Sequence, residues 1–315
     1  MGDFCLILLK SFSYSSSNKN KEERENEEVG IFFLLCLSLV FTIKESYFQD
    51  KAEVQRYEEN NKEYLDDSET SESFQTIKIT KEMVFQGNLL LVNNEYPVLE
   101  ESIKTDVVNL FKHDELTKGY ELLNREIYLS EKVAREFSEM VDAAEKEGVR
   151  HFSINSGFRN FDEQNALYQE MGSDYALPAG YSEHNLGLAL DIGSTQMEMS
   201  EAPEGKWLED NAWEYGFILR YPMDKTAITG IQYEPWHFRY VGLPHSAIIE
   251  EKNFALEEYL DFLKEQKSIS GTIHGENYEI SYYPITEKTD IEMPANLHYE
   301  ISGNNMDGVI VTVYR

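Results

Sequence analysis

The chain has 315 residues and a formal net charge of −30, from 28 basic and 58 acidic side chains. That length admits one or two domains with a real core. The charge excludes nucleic acid as a partner, since phosphate binding needs basic patches, and it speaks for a strongly solvated surface rather than for a particular chemistry.

Residues 1–28 hold a short apolar run, Phe4 to Leu9, then a Ser-rich and charged stretch, and read as disordered. Residues 29–43 are a nearly unbroken apolar run of roughly 15 residues around Ile31-Phe32-Phe33-Leu34-Leu35-Cys36-Leu37. That is short of the ~20 residues of a comfortable membrane span, so a signal-peptide core or a single signal-anchor fits best. The flanking charge is unusual: Glu27 and Glu28 stand where positive residues are expected, and Lys44 follows the run. A buried helix of the globular region is the alternative, but nothing nearby is apolar enough to pack against it. Cys36 follows Leu35, where a lipoprotein signal wants a small residue, so lipidation is not expected. Cys5 and Cys36 are the two cysteines, so beyond Lys44 there is neither a disulfide framework nor a thiolate metal site. Any metal there must take His, Asp or Glu.

Residues 44–76 are polar and acidic and read as a linker or stalk, partly helical near Glu45 to Leu65. Order is expected from Ile77, with the catalytic region at 77–266 and a β appendage at 267–315. Val84-Phe85 and Leu89 to Asn93 suggest a hairpin around Gln86-Gly87-Asn88. Ser130 to Lys146 is an amphipathic helix, capped by Ser130 and stopped by Gly148. A strand at Phe152 to Ile154 and a helix at Asp162 to Met171 follow. Next come a strand at Leu188 to Ile192, a helix at Trp207 to Tyr215 and a strand at Tyr233 to Phe238. Ser246 to Gln266 reads as one amphipathic helix. In the tail, Ser268 to Ile273, Tyr278 to Tyr283 and Gly308 to Tyr314 alternate as strands do.

Two stretches carry the chemistry. Tyr181 to Asp191 sets His184 and Asp191 seven residues apart with small and apolar residues between them, and Glu234-Pro235-Trp236-His237 adds a second histidine and a carboxylate. A catalytic zinc takes three protein ligands and keeps a place for water. His184, Asp191 and His237 would supply that set, and Gly187 and Ala189 leave room for a turn that brings two of them to one ion. Pro235 forbids an interior helix, so this is not the helical His-Glu-x-x-His arrangement. Glu234 is the candidate general base. On a strand it would face away from His237, so a turn or bulge at Pro235 is required. Arg159, in Asn155-Ser156-Gly157-Phe158-Arg159, could stabilise an oxyanion or clamp a carboxylate.

These stretches resemble known signatures. Ser182-Glu183-His184-Asn185-Leu186-Gly187-Leu188-Ala189-Leu190-Asp191 is similar to the Ser-x-His-x-x-Gly-x-Ala-x-Asp motif of the VanY-like D-alanyl-D-alanine carboxypeptidases. Glu234-Pro235-Trp236-His237 resembles their second signature, and Ser156-Gly157-Phe158-Arg159 with Gln164 their substrate-binding segment. The resemblance covers roughly Leu129 to Leu263. It implies His184, Asp191 and His237 as zinc ligands, Glu234 as base, Arg159 as oxyanion or substrate contact, and Gln164 and Ser182 as holders of the terminal D-Ala. It implies a small α+β domain with a central antiparallel sheet, acting on the D-Ala-D-Ala end of peptidoglycan stem peptides. The enzyme would be membrane-anchored with its catalytic region outside, or secreted to the cell wall. In some members the activity lowers sensitivity to glycopeptide antibiotics.

The same zinc site could serve an L,D-carboxypeptidase, a D,D-dipeptidase or an endopeptidase, with Met171 to Gly180 as a specificity loop. It could also belong to a non-catalytic wall-binding module, against which an intact Glu234 argues. Gln164 and Ser182 could instead be helix and turn residues, and Tyr233 and Trp236 could pack beneath the site. The other histidines, His113, His151, His245, His274 and His298, read as core or surface residues, and Trp213 and Tyr215 as core.

Overall fold

The computed structural model describes residues 53–55, 74–172, 176–285 and 289–315. The chain divides into two units, Met1–Lys51 and Ala52–Arg315, and all described residues fall in the second. The N-terminus at 1–28, the apolar segment at 29–43 and most of the acidic linker lie outside the described residues. Among the described residues no helix is long and apolar enough to cross a membrane. The elements in chain order are β1 (Glu53–Gln55), β2 (Phe74–Ile79), β3 (Val107–Asn109), β4 (Tyr120–Leu122), β5 (Tyr128–Ser130), α1 (Glu131–Lys146), β6 (Phe152–Ser156), α2 (Phe161–Met171), β7 (Ala189–Ser194) and α3 (Pro203–Asn211). They continue with β8 (Phe217–Leu219), α4 (Thr226–Thr229), β9 (His237–Tyr240), α5 (His245–Lys252), α6 (Leu256–Gln266), β10 (Ser268–Ile273), β11 (Glu276–Pro284), β12 (Thr289–Pro294), β13 (His298–Gly303) and β14 (Gly308–Tyr314). Glu53–Gln55 is thus a strand where the sequence suggests helix.

The site is carried by a sheet of order β4-β6-β7-β9-β8. All neighbours in it are antiparallel except β4 and β6, which run parallel. Helix α1 covers one face. Ser130 Oγ accepts from Val133 N, and the apolar stripe Val133, Phe137, Met140, Val141 and Ala144 meets Phe152, Ile154, Leu190, Ile192 and Phe238 of the sheet. These aliphatic and aromatic side chains are almost wholly buried, and burial of each stabilises the fold by about 1.5–3 kcal/mol before entropy is counted. Along β7, Leu190 and Ile192 point into this core, so Asp191 between them must face the other way.

The C-terminal strands are more than a small appendage. They form an antiparallel sheet of order β1-β10-β11-β14-β13, and β12 pairs separately with β2. Its core is shared: Ile269, Ile280 and Ile310 pack in one cluster with Ile248, Leu256, Tyr259 and Leu260 of α5 and α6 and with Ile218 of β8. On the opposite face of β14, Val309 and Val311 join Ile291 of β12 and Ile79 of β2.

Several expected elements differ. Lys81–Phe85 is a short 3-10 helix, and no hairpin forms at 84–93. Leu89 to Val92 belongs to no strand pair and is wedged between two cores. Leu90 and Val92 enter the α1 core, while Leu89 and Leu91 enter the C-terminal one. Its backbone bonds are met by Ser302, Asn304, Asn305 and Arg239 rather than by a hairpin partner. The helix expected over 246–266 is two helices, because Asn253 adopts a left-handed conformation (φ 48°) that asparagine tolerates better than most residues. The helix at 207–215 starts earlier, with Pro203 at its first turn, and ends as a 3-10 turn at Ala212–Tyr215. The strand expected at Tyr233 begins only at His237.

Candidate metal centre

Strand register builds half of the site. Asp191 of β7 lies directly opposite His237 of β9, so the two side chains leave the same face. Asp191 Oδ1 is 3.1 Å from His237 Nδ1. The third member comes from a turn. Glu183–Asn185 is a 3-10 turn whose first amide groups are met by Ser182, with Ser182 Oγ accepting from His184 N. Gly187, at φ 85°, then reverses the chain into β7, and a side chain there would press on Val107 at 2.9 Å. The turn is pinned to the segment after β6: Arg159 N donates to His184 O at 3.1 Å and Asn185 Nδ2 to Arg159 O at 2.6 Å. Gly157 lets that segment approach closely, since a Cβ would run into the Tyr128 carbonyl.

His184 Nε2 is thereby 3.4 Å from Asp191 Oδ1, and the ligand atoms of His184, Asp191 and His237 all lie within 4.8 Å of one another. Atoms ~2.0–2.1 Å from one ion at tetrahedral angles sit about 3.4 Å apart, so the spacing suits zinc. The outer nitrogens fit as well. His184 Nδ1 is 2.7 Å from Gly157 O, which only accepts, so Nδ1 carries the proton and Nε2 is free to ligate. His237 Nε2 faces Glu183 Oε2 at 3.4 Å, leaving Nδ1 toward Asp191. Two nitrogens and a carboxylate with their other atoms already held are the donor set of an open zinc site.

The electrostatics agree. Burial opposes the Asp191 charge, but the two histidines hold its carboxyl well below the usual carboxylate range. Burial keeps His184 neutral by lowering its pKa. Burial also disfavours charged His237, yet the Asp191 and Glu183 carboxylates outweigh this and push it up to about 9. The pocket thus favours one positive charge at Nδ1, where a cation would replace the proton.

Glu234 stands beside this group, with Oε2 3.9 Å from His237 Nδ1. Glu234 to His237 is a tight turn closed by His237 N donating to Glu234 O at 3.2 Å, with Pro235 at its second position. That is the turn the sequence requires to bring both residues to one side. Burial raises the Glu234 carboxyl above its ordinary pKa. Arg159 is half-buried and feels the charges of Asp191, Glu163 and Glu234, and its Nε has no hydrogen-bond partner among the described residues. Gln164, from α2, is buried and donates to Leu177 O at 2.6 Å, while its Oε1 has no partner among the described residues. It therefore anchors the loop around 171–180, of which residues 173–175 lie outside the described residues.

Tyr233 and Trp236 do not pack beneath the metal group. Trp236 is 41 % exposed, and Tyr233 Oη reaches Glu209 at the surface. Tyr221 takes that place, its ring 4.9 Å from His237. His245 is a core histidine, between Tyr259 Oη at 2.7 Å and Thr312 Oγ1 at 3.1 Å. Trp207 and Trp213 are core residues. Sequence reasoning missed Glu183, Arg220 and Arg239, all buried. The available signal was charge inside apolar strand sequence, as in Phe217-Ile218-Leu219-Arg220-Tyr221 and His237-Phe238-Arg239-Tyr240, because such charges persist only when paired.

Comparison with known proteins follows the same lines. Residues 126–243 match the family model described as VanY, D-alanyl-D-alanine carboxypeptidase. A D-alanyl-D-alanine carboxypeptidase of Enterococcus faecium is 63% identical over 288 residues, covering 90% of this chain and 95% of the relative. The bifunctional D-Ala-D-Ala dipeptidase and D-Ala-D-Ala carboxypeptidase VanXYC of Enterococcus gallinarum is 40% identical over 157 residues, 44% of this chain and 81% of that protein. Among solved structures, the vancomycin resistance D,D-dipeptidase VanXYg, in complex with a D-Ala-D-Ala phosphinate analog, superposes with a TM-score of 0.68 at 35% identity, covering 77% of this chain and all (100%) of that one. On the strength of the Enterococcus faecium relative, aligned over nearly its whole length, the chain belongs to the VanY D-alanyl-D-alanine carboxypeptidase family.

Proposed function

We propose that this chain is a zinc-dependent D-alanyl-D-alanine carboxypeptidase that removes the terminal D-Ala from peptidoglycan stem peptides. The observation that carries the reading is the convergence of His184, Asp191 and His237 on one point with the Glu234 carboxylate beside it. His184 Nε2, Asp191 Oδ1 and His237 Nδ1 would hold the zinc. Bound there, zinc supplies a Lewis acid and a water of pKa near ~7. Glu234 takes the proton of the attacking water and returns it to the leaving D-Ala amine, a role typically worth about 100- to 10,000-fold. Arg159, whose Nε has no partner among the described residues, meets the developing oxyanion or the substrate carboxylate. Gln164 Oε1 and Ser182 complete the pocket for the terminal residue. The overall negative charge does not oppose this, because a small anionic peptide end is met locally by the metal and Arg159.

The work is done outside the cytoplasm, where stem peptides of the wall are found, with residues 29–43 as anchor or signal. Residues 77–266 are the catalytic region, and 267–315 are the C-terminal strands that share a core with its last helices. A second reading, D,D-dipeptidase activity at the same site, is favoured by the likeness to VanXYg and VanXYC. Incubation with a stem pentapeptide ending in D-Ala-D-Ala and, separately, with free D-Ala-D-Ala, each with and without chelator, followed by mass analysis, separates the two. Loss of a single alanine that the chelator abolishes is expected. Chelator-insensitive cleavage of the pentapeptide, or none, contradicts the proposal, and chelator-sensitive hydrolysis of free D-Ala-D-Ala to two D-alanines with the pentapeptide left intact assigns the second reading.

A further inference from the structure

Beneath the metal group lies a buried charge cluster that the reaction itself does not use. Glu183 is fully enclosed, and its two oxygens have divided tasks. Oε1 accepts from Arg220 Nε at 2.9 Å and from Arg239 Nη1 at 2.7 Å. Oε2 faces His237 Nε2 at 3.4 Å. Both arginines are fixed by further bonds. Arg220 makes a two-point contact with Glu257 of α6 at 2.9 and 2.7 Å. Arg239 donates to the carbonyls of Asn88 at 2.9 Å, Leu90 at 3.0 Å and Tyr240 at 3.2 Å. A stabilising role alone does not explain the cluster, because buried ion pairs are often replaceable by apolar residues of like volume at no loss.

We propose that Glu183 is a positioning residue: held by Arg220 and Arg239, it fixes the tautomer of His237 so that Nδ1 presents its lone pair to the metal. The inference rests on the ligand set proposed above. Guanidinium groups only donate and do not deprotonate in proteins, so the atom at the Oε1 position must be an acceptor. The remaining oxygen of an ionised carboxylate is also acceptor-only, which obliges His237 Nε2 to carry the hydrogen. Glu183→Gln makes the logic testable. Its amide oxygen must occupy the Oε1 position, since an NH2 there would face two arginine donors. Its NH2 then faces His237 Nε2, favours a lone pair at that nitrogen and moves the hydrogen to Nδ1, the atom the metal needs.

The test has three arms on the full chain. In zinc-loaded wild type with 15N-labelled histidine, long-range 1H–15N correlation is expected to show His237 protonated at Nε2; a hydrogen on Nδ1 overturns the proposal whatever any variant does. Zinc affinity of Glu183→Gln, read by chelator competition, is expected to fall about 10- to 100-fold, the usual effect of losing such an outer partner. An affinity within twofold of wild type overturns it. His184→Ala separates this failure from that of the ligand set. If that variant binds zinc as wild type does, the ligand assignment is wrong, whereas its loss of zinc beside an unaffected Glu183→Gln condemns only the positioning role.

Discussion

His245 offers a prediction whose size follows from its surroundings. It joins α5 to the C-terminal sheet, enclosed between Tyr259 Oη and Thr312 Oγ1, with no carboxylate as partner. Burial alone depresses its pKa to about 3. In the unfolded chain a histidine titrates near ~6.5. Because the folded value is depressed, the stability contributed is complete above ~6.5 and is lost as pH falls toward the folded pKa of about 3. The slope across that window is about 1.4 kcal/mol per pH unit, hence about 3 kcal/mol by pH ~4.5. That is a large share of the 5–15 kcal/mol typical of a folded domain. The assay is urea unfolding of wild type and His245→Gln at several pH values from 8 to ~4.5. The variant keeps a donor and an acceptor and is expected to lose about 1 kcal/mol at pH 8 from imperfect packing. His184, His237 and the carboxylates titrate in both proteins and cancel in the difference. The variant's curve should be flatter, and the gap between the two proteins should close or invert as pH falls. Parallel curves would refute the reasoning.

Two further outcomes concern the chemistry. Glu234→Gln keeps the shape beside His237 but accepts no proton. D-Ala release should fall about 100- to 10,000-fold, or roughly 3–5 kcal/mol in the barrier, with zinc content unchanged; undiminished turnover would remove Glu234 from the mechanism. Arg159→Ala should raise KM or lower kcat for the stem pentapeptide without loss of zinc, and wild-type kinetics would make Arg159 a structural residue.

How much of this could be read from the sequence varies with the range of the interactions involved. Local signals served well. Ser130 and Gly148 bracket α1, and the spacing of Val133, Phe137, Val141 and Ala144 identifies its buried face. The candidate metal residues could be singled out because their stretches resemble the VanY-like signatures, and Pro235 required the turn that brings Glu234 round to His237. What failed was long-range. Leu89 to Val92 is a short apolar run that reads like a hairpin strand, yet its partners include Arg239 and Asn305, far along the chain. Asn253 gives little local warning of a helix break, and β12 and β13 are strands only because β2 and β14 lie beside them. The Glu183–Arg220–Arg239 cluster is long-range too: apolar neighbours mark Arg220 and Arg239 as unusual, but their shared partner Glu183 lies far along the chain.

The central claim is that two imidazoles and one carboxylate from separate parts of the chain hold a single zinc. Anomalous diffraction at the zinc edge from crystals of the zinc-loaded protein tests it most directly. A peak about 2.0–2.2 Å from His184 Nε2, Asp191 Oδ1 and His237 Nδ1, with a fourth position open to solvent, is the expected result. A zinc bound by other residues, or these three side chains with no ion among them at saturating zinc, would contradict the account.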